Sequence, residues 1–248
     1  MVTPFNSAYT YPQHRISVTD NLRAGNAISA AGQLNGVPVA LKQFEGLGNP
    51  TPVVASMLIT AGVAGMTAGV ANPMTAASAN GVVITGGVAT LDFPRNVTVT
   101  SDGTDTTTLL VQGADYYGAA MSELITLSGS GSTIDAGLKA FYTVNSVTAT
   151  ATTNGNIGVS LGKVLGLSFA LLPGSLLVGT KNISGTTSAD AGTVVAADTT
   201  SPATSTTGDV RGTYSPAGTL VRATTNFYAE YQTLGGPSNV NAFGVTQA

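Results

Sequence analysis

Leu91-Asp92-Phe93-Pro94-Arg95-Asn96-Val97-Thr98-Val99-Thr100 is the stretch that decides the fold. Leu91, Phe93, Val97 and Val99 alternate with Asp92, Asn96, Thr98 and Thr100, the period-two signature of a strand with one apolar and one hydroxyl-rich face. Asp102-Gly103 follows as a turn. Leu109 and Val111 resume the alternation. Met121, Ile125 and Leu127 return on one face after Tyr117-Gly118, so 107–112 and 121–127 are expected to pair as a hairpin. The Ser/Gly run at 128–132 reads as a flexible loop. A further strand is expected over 141–152, where a change of apolar parity near Val147 signals a bulge. Ile157, Val159 and Leu161 form another, which Leu165, Leu167 and Phe169 extend.

Outward from this centre the pattern weakens. Gly81 to Thr85 reads as a strand ended by Gly86-Gly87, and Leu176-Leu177-Val178 and Val194-Val195 as short strands. The Ser/Thr/Ala/Asp tract at 186–208 is expected to be a long mobile loop. Closing strands are expected at 210–214 and 225–233, and a short one at 37–41. No segment has the period of an amphipathic helix. Short strands separated by Gly-rich turns indicate an all-β fold, an antiparallel β-sandwich of jelly-roll or Ig-like type. Residues 1–52, with Pro4, Pro12, Pro38, Pro50 and Pro52, read as an extended N-terminal arm. Residues 53–248 form the sandwich domain, as one unit or two sub-domains, with its clearest β module at 91–170.

Composition narrows the function. Only 8% of the 248 residues are charged, against about a quarter in ordinary soluble domains. A surface so poor in charge is weakly solvated and is expected to be covered by protein partners. The net charge is −3, the nine cations are scattered and Trp is absent, which argues against direct nucleic-acid binding. Cysteine is absent, so disulfides, thiolate metal sites and cysteine nucleophiles are excluded. The first residues lack the basic start and apolar run of a signal peptide. The stretch 53–71 is largely apolar but is diluted by Gly62, Gly65, Gly69 and threonines and lacks flanking anchors, so a buried or partner-covered segment is expected rather than a membrane span.

Each chemical motif has a plainer reading. His14 is the single histidine and stands in the Pro-rich arm, a poor place for a general base. Gly158-Val159-Ser160-Leu161-Gly162 matches G-x-S-x-G, but it lies inside an alternating strand, with no helix behind it and no histidine downstream. Asp102-Gly103-Thr104-Asp105 could meet a calcium ion, yet it lacks the spacing of a calcium loop and suits a turn. Asp115, Glu123 and Asp135 are isolated in sequence, and a glycosidase-like pair needs two carboxylates brought together by the fold. Gly162-Lys163 precedes Val164, which is not a phosphate-binding loop. Asn96-Val97-Thr98 and Asn182-Ile183-Ser184 are formal glycosylation triplets of the kind Thr-rich chains contain by chance. Tyr116, Tyr117, Tyr214, Phe227, Tyr228 and Tyr231 are expected in the core, while Tyr9 and Tyr11 fit either core or interface. No catalytic, cofactor-binding or metal-ligating residue is assigned.

Four blocks carry a resemblance. Phe93-Pro94-Arg95-Asn96-Val97-Thr98-Val99 precedes Val111-Gln112-Gly113-Ala114-Asp115-Tyr116-Tyr117-Gly118. Glu123-Leu124-Ile125-Thr126-Leu127-Ser128-Gly129 and Lys139-Ala140-Phe141-Tyr142-Thr143-Val144 follow. In this order they resemble a β module of tailed-bacteriophage virion proteins, including head decoration or cement proteins; Gly208-Asp209-Val210-Arg211-Gly212-Thr213-Tyr214 is also similar to a segment of such proteins. The resemblance spans 91–166 and implies a multicopy protein on the outer surface of an icosahedral capsid. Its partners would be the major capsid protein and copies of itself, with a trimer favoured, and no nucleic acid or membrane. The competing readings are a tail-fibre or receptor-binding module recognising host glycans, a hydrolase of surface polymers, and a bacterial surface-layer protein.

Overall fold

The computed structural model describes side chains for residues 65–75, 82–168, 171, 188–198 and 208–217. It describes strand backbone alone for 14–17, 33–34, 37–38, 40–46, 57–64, 176–183, 186–187 and 225–234. In chain order the strands begin with β1 (His14–Ser17), β2 (Gln33–Leu34), β3 (Val37–Pro38), β4 (Ala40–Gly46), β5 (Met57–Ala64) and β6 (Ala71–Pro73). Next come β7 (Val82–Thr85), β8 (Val88–Ser101), β9 (Thr108–Ala114), β10 (Ala120–Thr126), β11 (Ile134–Ala136) and β12 (Phe141–Ala149). The last are β13 (Asn156–Gly166), β14 (Leu176–Ile183), β15 (Thr186–Ala189), β16 (Thr193–Val195), β17 (Thr213–Ser215) and β18 (Thr225–Leu234). No described residue is helical, and no helix of the described residues is long and apolar enough to cross a membrane. The fold is all-β and antiparallel, in a sandwich-like arrangement.

β8 organises the larger sheet. Its first half forms a hairpin with β7 through Gly86 and Gly87, whose φ values of 58° and 82° suit a tight two-residue turn matched to strand twist. That half also pairs with β12, which continues through β9 to β10. The second half pairs with β13 on one side and β11 on the other. One 14-residue strand therefore belongs to two parts of a curled sheet, the way strands turn the corner of a sandwich. Between them lies one core, with Leu91, Val97 and Val99 of β8 meeting Leu109, Val111, Ile125, Phe141, Val144 and Val159. Each such aliphatic side chain contributes about 1.5–3 kcal/mol by leaving water.

The 107–112 and 121–127 hairpin is present as β9–β10, in register from Thr108–Thr126 to Ala114–Ala120. In β12 the register shifts between Val144 and Ser146, after which Val147 and Ala149 hold the buried parity. β5, from the apolar stretch, pairs with β13, and β6 just after it with β12. β1 and β4 from residues 1–52 pair in a five-stranded sheet of order β1-β4-β18-β14-β15, so part of that segment is strand paired with the C-terminal β18.

The hydroxyl-rich face of 91–100 is buried as well as the apolar one: Phe93 to Val99 is covered on both sides, because β8 crosses between the two parts of the sheet there. Two expectations need correction. The tract 186–208 is not one loop, since β15 pairs with β14 and β16 with β17; 199–207 lie outside the described residues. The strand expected at 210–214 begins only at Thr213, because Gly212 stands at φ 88° in a turn closed by its N–H to the carbonyl of Asp209. Phe169, Tyr9 and Tyr11 fall outside the described residues.

Candidate functional site

Within the larger sheet, the charged residues of the motif blocks are used to join distant pieces of chain. At the crossing of β8, the Arg95 Nε donates to the Gly162 carbonyl at 2.7 Å and Nη1 to Asp92 Oδ1 at 3.2 Å. Burial lowers the Arg95 pKa, and the Asp92 carboxylate opposes that shift. Asn96 donates from Nδ2 to the Gly137 carbonyl at 2.7 Å and accepts the Val164 N–H at Oδ1 at 3.0 Å. β13 carries extra residues here, between Leu161 opposite Val97 and Leu165 opposite Arg95. Arg95 and Asn96 supply the hydrogen bonds that this bulge removes from the ladder. Gly162 is required, because a Cβ would collide with the Asn96 amide. Asn96 is 1% exposed with its amide committed, so in the folded chain it is no glycosylation acceptor.

A second junction links the β9–β10 loop to the segment before β17. Asp115 Oδ1 accepts the N–H groups of Tyr117 and Ala119 at 2.8 and 2.9 Å, shaping the turn in which Gly118 adopts φ 83°. Asp115 Oδ2 accepts Arg211 Nη1 at 2.8 Å, an ion pair with both side chains almost wholly buried. Arg211 also donates from Nε to the Leu167 carbonyl and lies 5.5 Å from the centre of the Tyr117 ring. Burial alone would lower the Arg211 pKa, but Asp209, Asp115 and Tyr117 together raise it, so it stays charged. Asp209 accepts the N–H of Arg211 on one oxygen and that of Ala140 on the other. Tyr214 is fully buried as expected, whereas Tyr117 is 40% exposed with its hydroxyl on the Ser168 carbonyl. Tyr116 packs edge-on against Tyr117 and Tyr142.

The third junction borders open surface. Glu123 has the strand parity of the buried Met121 and Ile125, so its carboxylate is carried toward the inner face of β10. It accepts the Leu138 N–H at 2.5 Å and that of Lys139 at 3.3 Å. Gly137 makes room, since a Cβ there would strike the Glu123 carboxylate. Burial pushes the Glu123 pKa up to about 6, against the two backbone bonds and the Lys139 charge. Lys139 is 2% exposed, donates from Nζ to the Ser122 carbonyl at 2.7 Å, and is lowered by burial. Beside this junction runs a groove of about 360 Å³ lined by residues 123–126 and 135–138. Leu124, Ile134 and Leu138 at or beside it are 64%, 61% and 53% exposed.

The sequence candidates resolve as follows. Ser160 sits within β13 opposite Thr98 and Met57, not on a strand-to-helix elbow. Asp105 accepts the N–H groups of Asn154 and Gly155 and the Ser101 hydroxyl. The bonds from Asn154 and Ser101 hold it below its ordinary pKa. Asp102 takes the backbone and side-chain N–H of Asn156, so both carboxylates staple the turn to 154–156. Asp135 accepts the Ser128 N–H. Among the described residues no three His, Asp or Glu side chains are grouped so as to hold a metal ion. His14 stands in β1 opposite Glu45, and Asn182 in β14; nothing beyond backbone is described for either, nor for Phe227, Tyr228 and Tyr231 in β18. What sequence reasoning missed is the internal use of charge. The available signal was that Arg95, Asp115, Glu123, Lys139, Asp209 and Arg211 all fall inside the motif blocks.

No protein-family model, curated protein or solved structure matches the chain. The described residues form a set of junctions in which charged and amide side chains tie distant parts of the β frame together, with aliphatic side chains presented at one groove.

Proposed function

We propose that this chain is a structural protein of a tailed-bacteriophage virion. It decorates the outer surface of the icosahedral head and cements it by binding across neighbouring subunits of the major capsid protein. It acts as a homo-oligomer, a trimer at local three-fold positions. No catalytic residue, cofactor or metal belongs to this reading, and no direct contact with nucleic acid or membrane.

The observation that carries it is the placement of charge. Of the charged residues with described side chains, only Asp102 and Lys163 are exposed; Arg95, Asp105, Asp115, Lys139, Asp190, Asp209 and Arg211 are buried. Buried charge of this kind orders a frame, while the exposed surface of the described residues is built largely from Thr, Ser, Ala, Gly and aliphatic residues. Such a surface gains by association with protein. A cement protein needs complementary area, and it stabilises the assembled shell by binding that state alone. The virion setting itself rests on the sequence resemblance of 91–166 and 208–214 to tailed-phage virion proteins.

Counting copies tests the reading. Density for this chain in an assembled particle, together with protein stoichiometry from purified virions, is expected to give hundreds of copies on the head. A handful of copies on the tail would replace this reading with a receptor-binding module, and absence from particles would overturn both.

A further inference from the structure

β10 is the end strand of the larger sheet and pairs only with β9 among the described strands. In an antiparallel pair the N–H and C=O of successive residues point alternately toward and away from the partner. The Leu127 N–H donates to Thr107 on the β9 side, so residues 121, 123 and 125 share that direction. The Ser122 carbonyl meets Lys139 Nζ from the opposite side, so residues 122, 124 and 126 point outward. Lys139 occupies the edge at Ser122, and the open run therefore begins at Leu124 and includes Thr126. Both side chains are exposed, and no described backbone group pairs with either residue on that side. An open edge next to exposed aliphatic residues is a template for a further strand.

The groove beside that edge has a sign. Its only charged lining residues are Glu123 and Asp135, and the Lys139 ammonium is directed to the Ser122 carbonyl. Alternating donors and acceptors at 124 and 126 are matched by extended backbone, the aliphatic side chains of Leu124 and Leu138 by apolar residues, and the two carboxylates by a cation.

The geometry points to the β10 edge at Leu124–Thr126 as a docking site for an extended segment of another protein, with apolar residues alternating along it and a Lys or Arg laid against Glu123 and Asp135. This deepens the assembly reading in one respect, that the occupant is another protein chain. It does not depend on the particle being a phage head, so copy number and peptide binding fail independently.

The test uses the full-length protein and a nine-residue peptide of alternating Val and Thr with a central Lys, followed by titration calorimetry. Saturable binding is expected at about 10–100 μM. N-methylation of alternate peptide amides, or a central Glu in place of Lys, is expected to weaken it at least about tenfold. Leu124→Pro removes an outward N–H that the fold does not use and is expected to weaken binding to the same degree. Leu124→Lys, which leaves the backbone donor intact but repels the basic peptide, gives the same loss even if the proline variant folds poorly. Absence of binding at about 1 mM, or equal binding by these variants, overturns the proposal. Self-association that Leu124→Pro abolishes, without peptide binding, would assign the edge to a second copy and overturn the basic-strand occupant.

Discussion

Replacing Glu123 by Gln probes the most unusual ionisable group bordering the groove. Burial raises its pKa from 4.5 to about 6, even though Leu138 and Lys139 donate to it and Lys139 is charged. The folded chain therefore binds the Glu123 proton more tightly than the unfolded chain does. Stability from this group is fully present below pH 4.5 and is lost as pH rises through about 6. A change of that size corresponds to about 2 kcal/mol. In Glu123→Gln the proton-linked part disappears, whereas the other carboxylates titrate alike in both proteins and cancel in the difference. Urea unfolding followed by circular dichroism between pH 4.5 and 7.5 measures it. The wild type is expected to lose about 2 kcal/mol relative to Glu123→Gln over that range. Parallel stability curves would refute the reasoning. A wild type that gains on the variant as pH rises would show that attraction to Lys139 outweighs burial.

Asp115→Asn keeps an acceptor for the Tyr117 and Ala119 N–H groups but leaves the buried Arg211 without its ion-pair partner, and should cost about 3–5 kcal/mol in urea unfolding. Adding Arg211→Met should make the double variant more stable than the sum of the single losses, which a double-mutant cycle reads directly. Gly162→Ala drives a methyl into the Asn96 amide and should destabilise by about 1–3 kcal/mol, with faster hydrogen exchange at the Val164 N–H that Asn96 holds.

Local information sufficed for much of the β framework. Alternation at 91–100, the 107–127 hairpin and the Gly86-Gly87 turn were legible because side-chain parity and turn chemistry depend on near neighbours. The same parity places Ser160 inside a strand rather than on a strand-to-helix elbow, and β13 holds it there. Tertiary structure decided what lies against each face. Thr98 and Asn96 obey the alternation yet are buried, because β8 passes between two parts of one sheet, and no local pattern records that crossing. Asp115 and Arg211 are 96 residues apart, and Lys139 meets β10 through Ser122. A lone charge in a sequence looks the same whether it faces water or a buried partner, since its environment is set by chain segments distant in sequence. The polar composition and the strands were therefore properties of the chain as written, and the internal placement of its charge was a property of the fold.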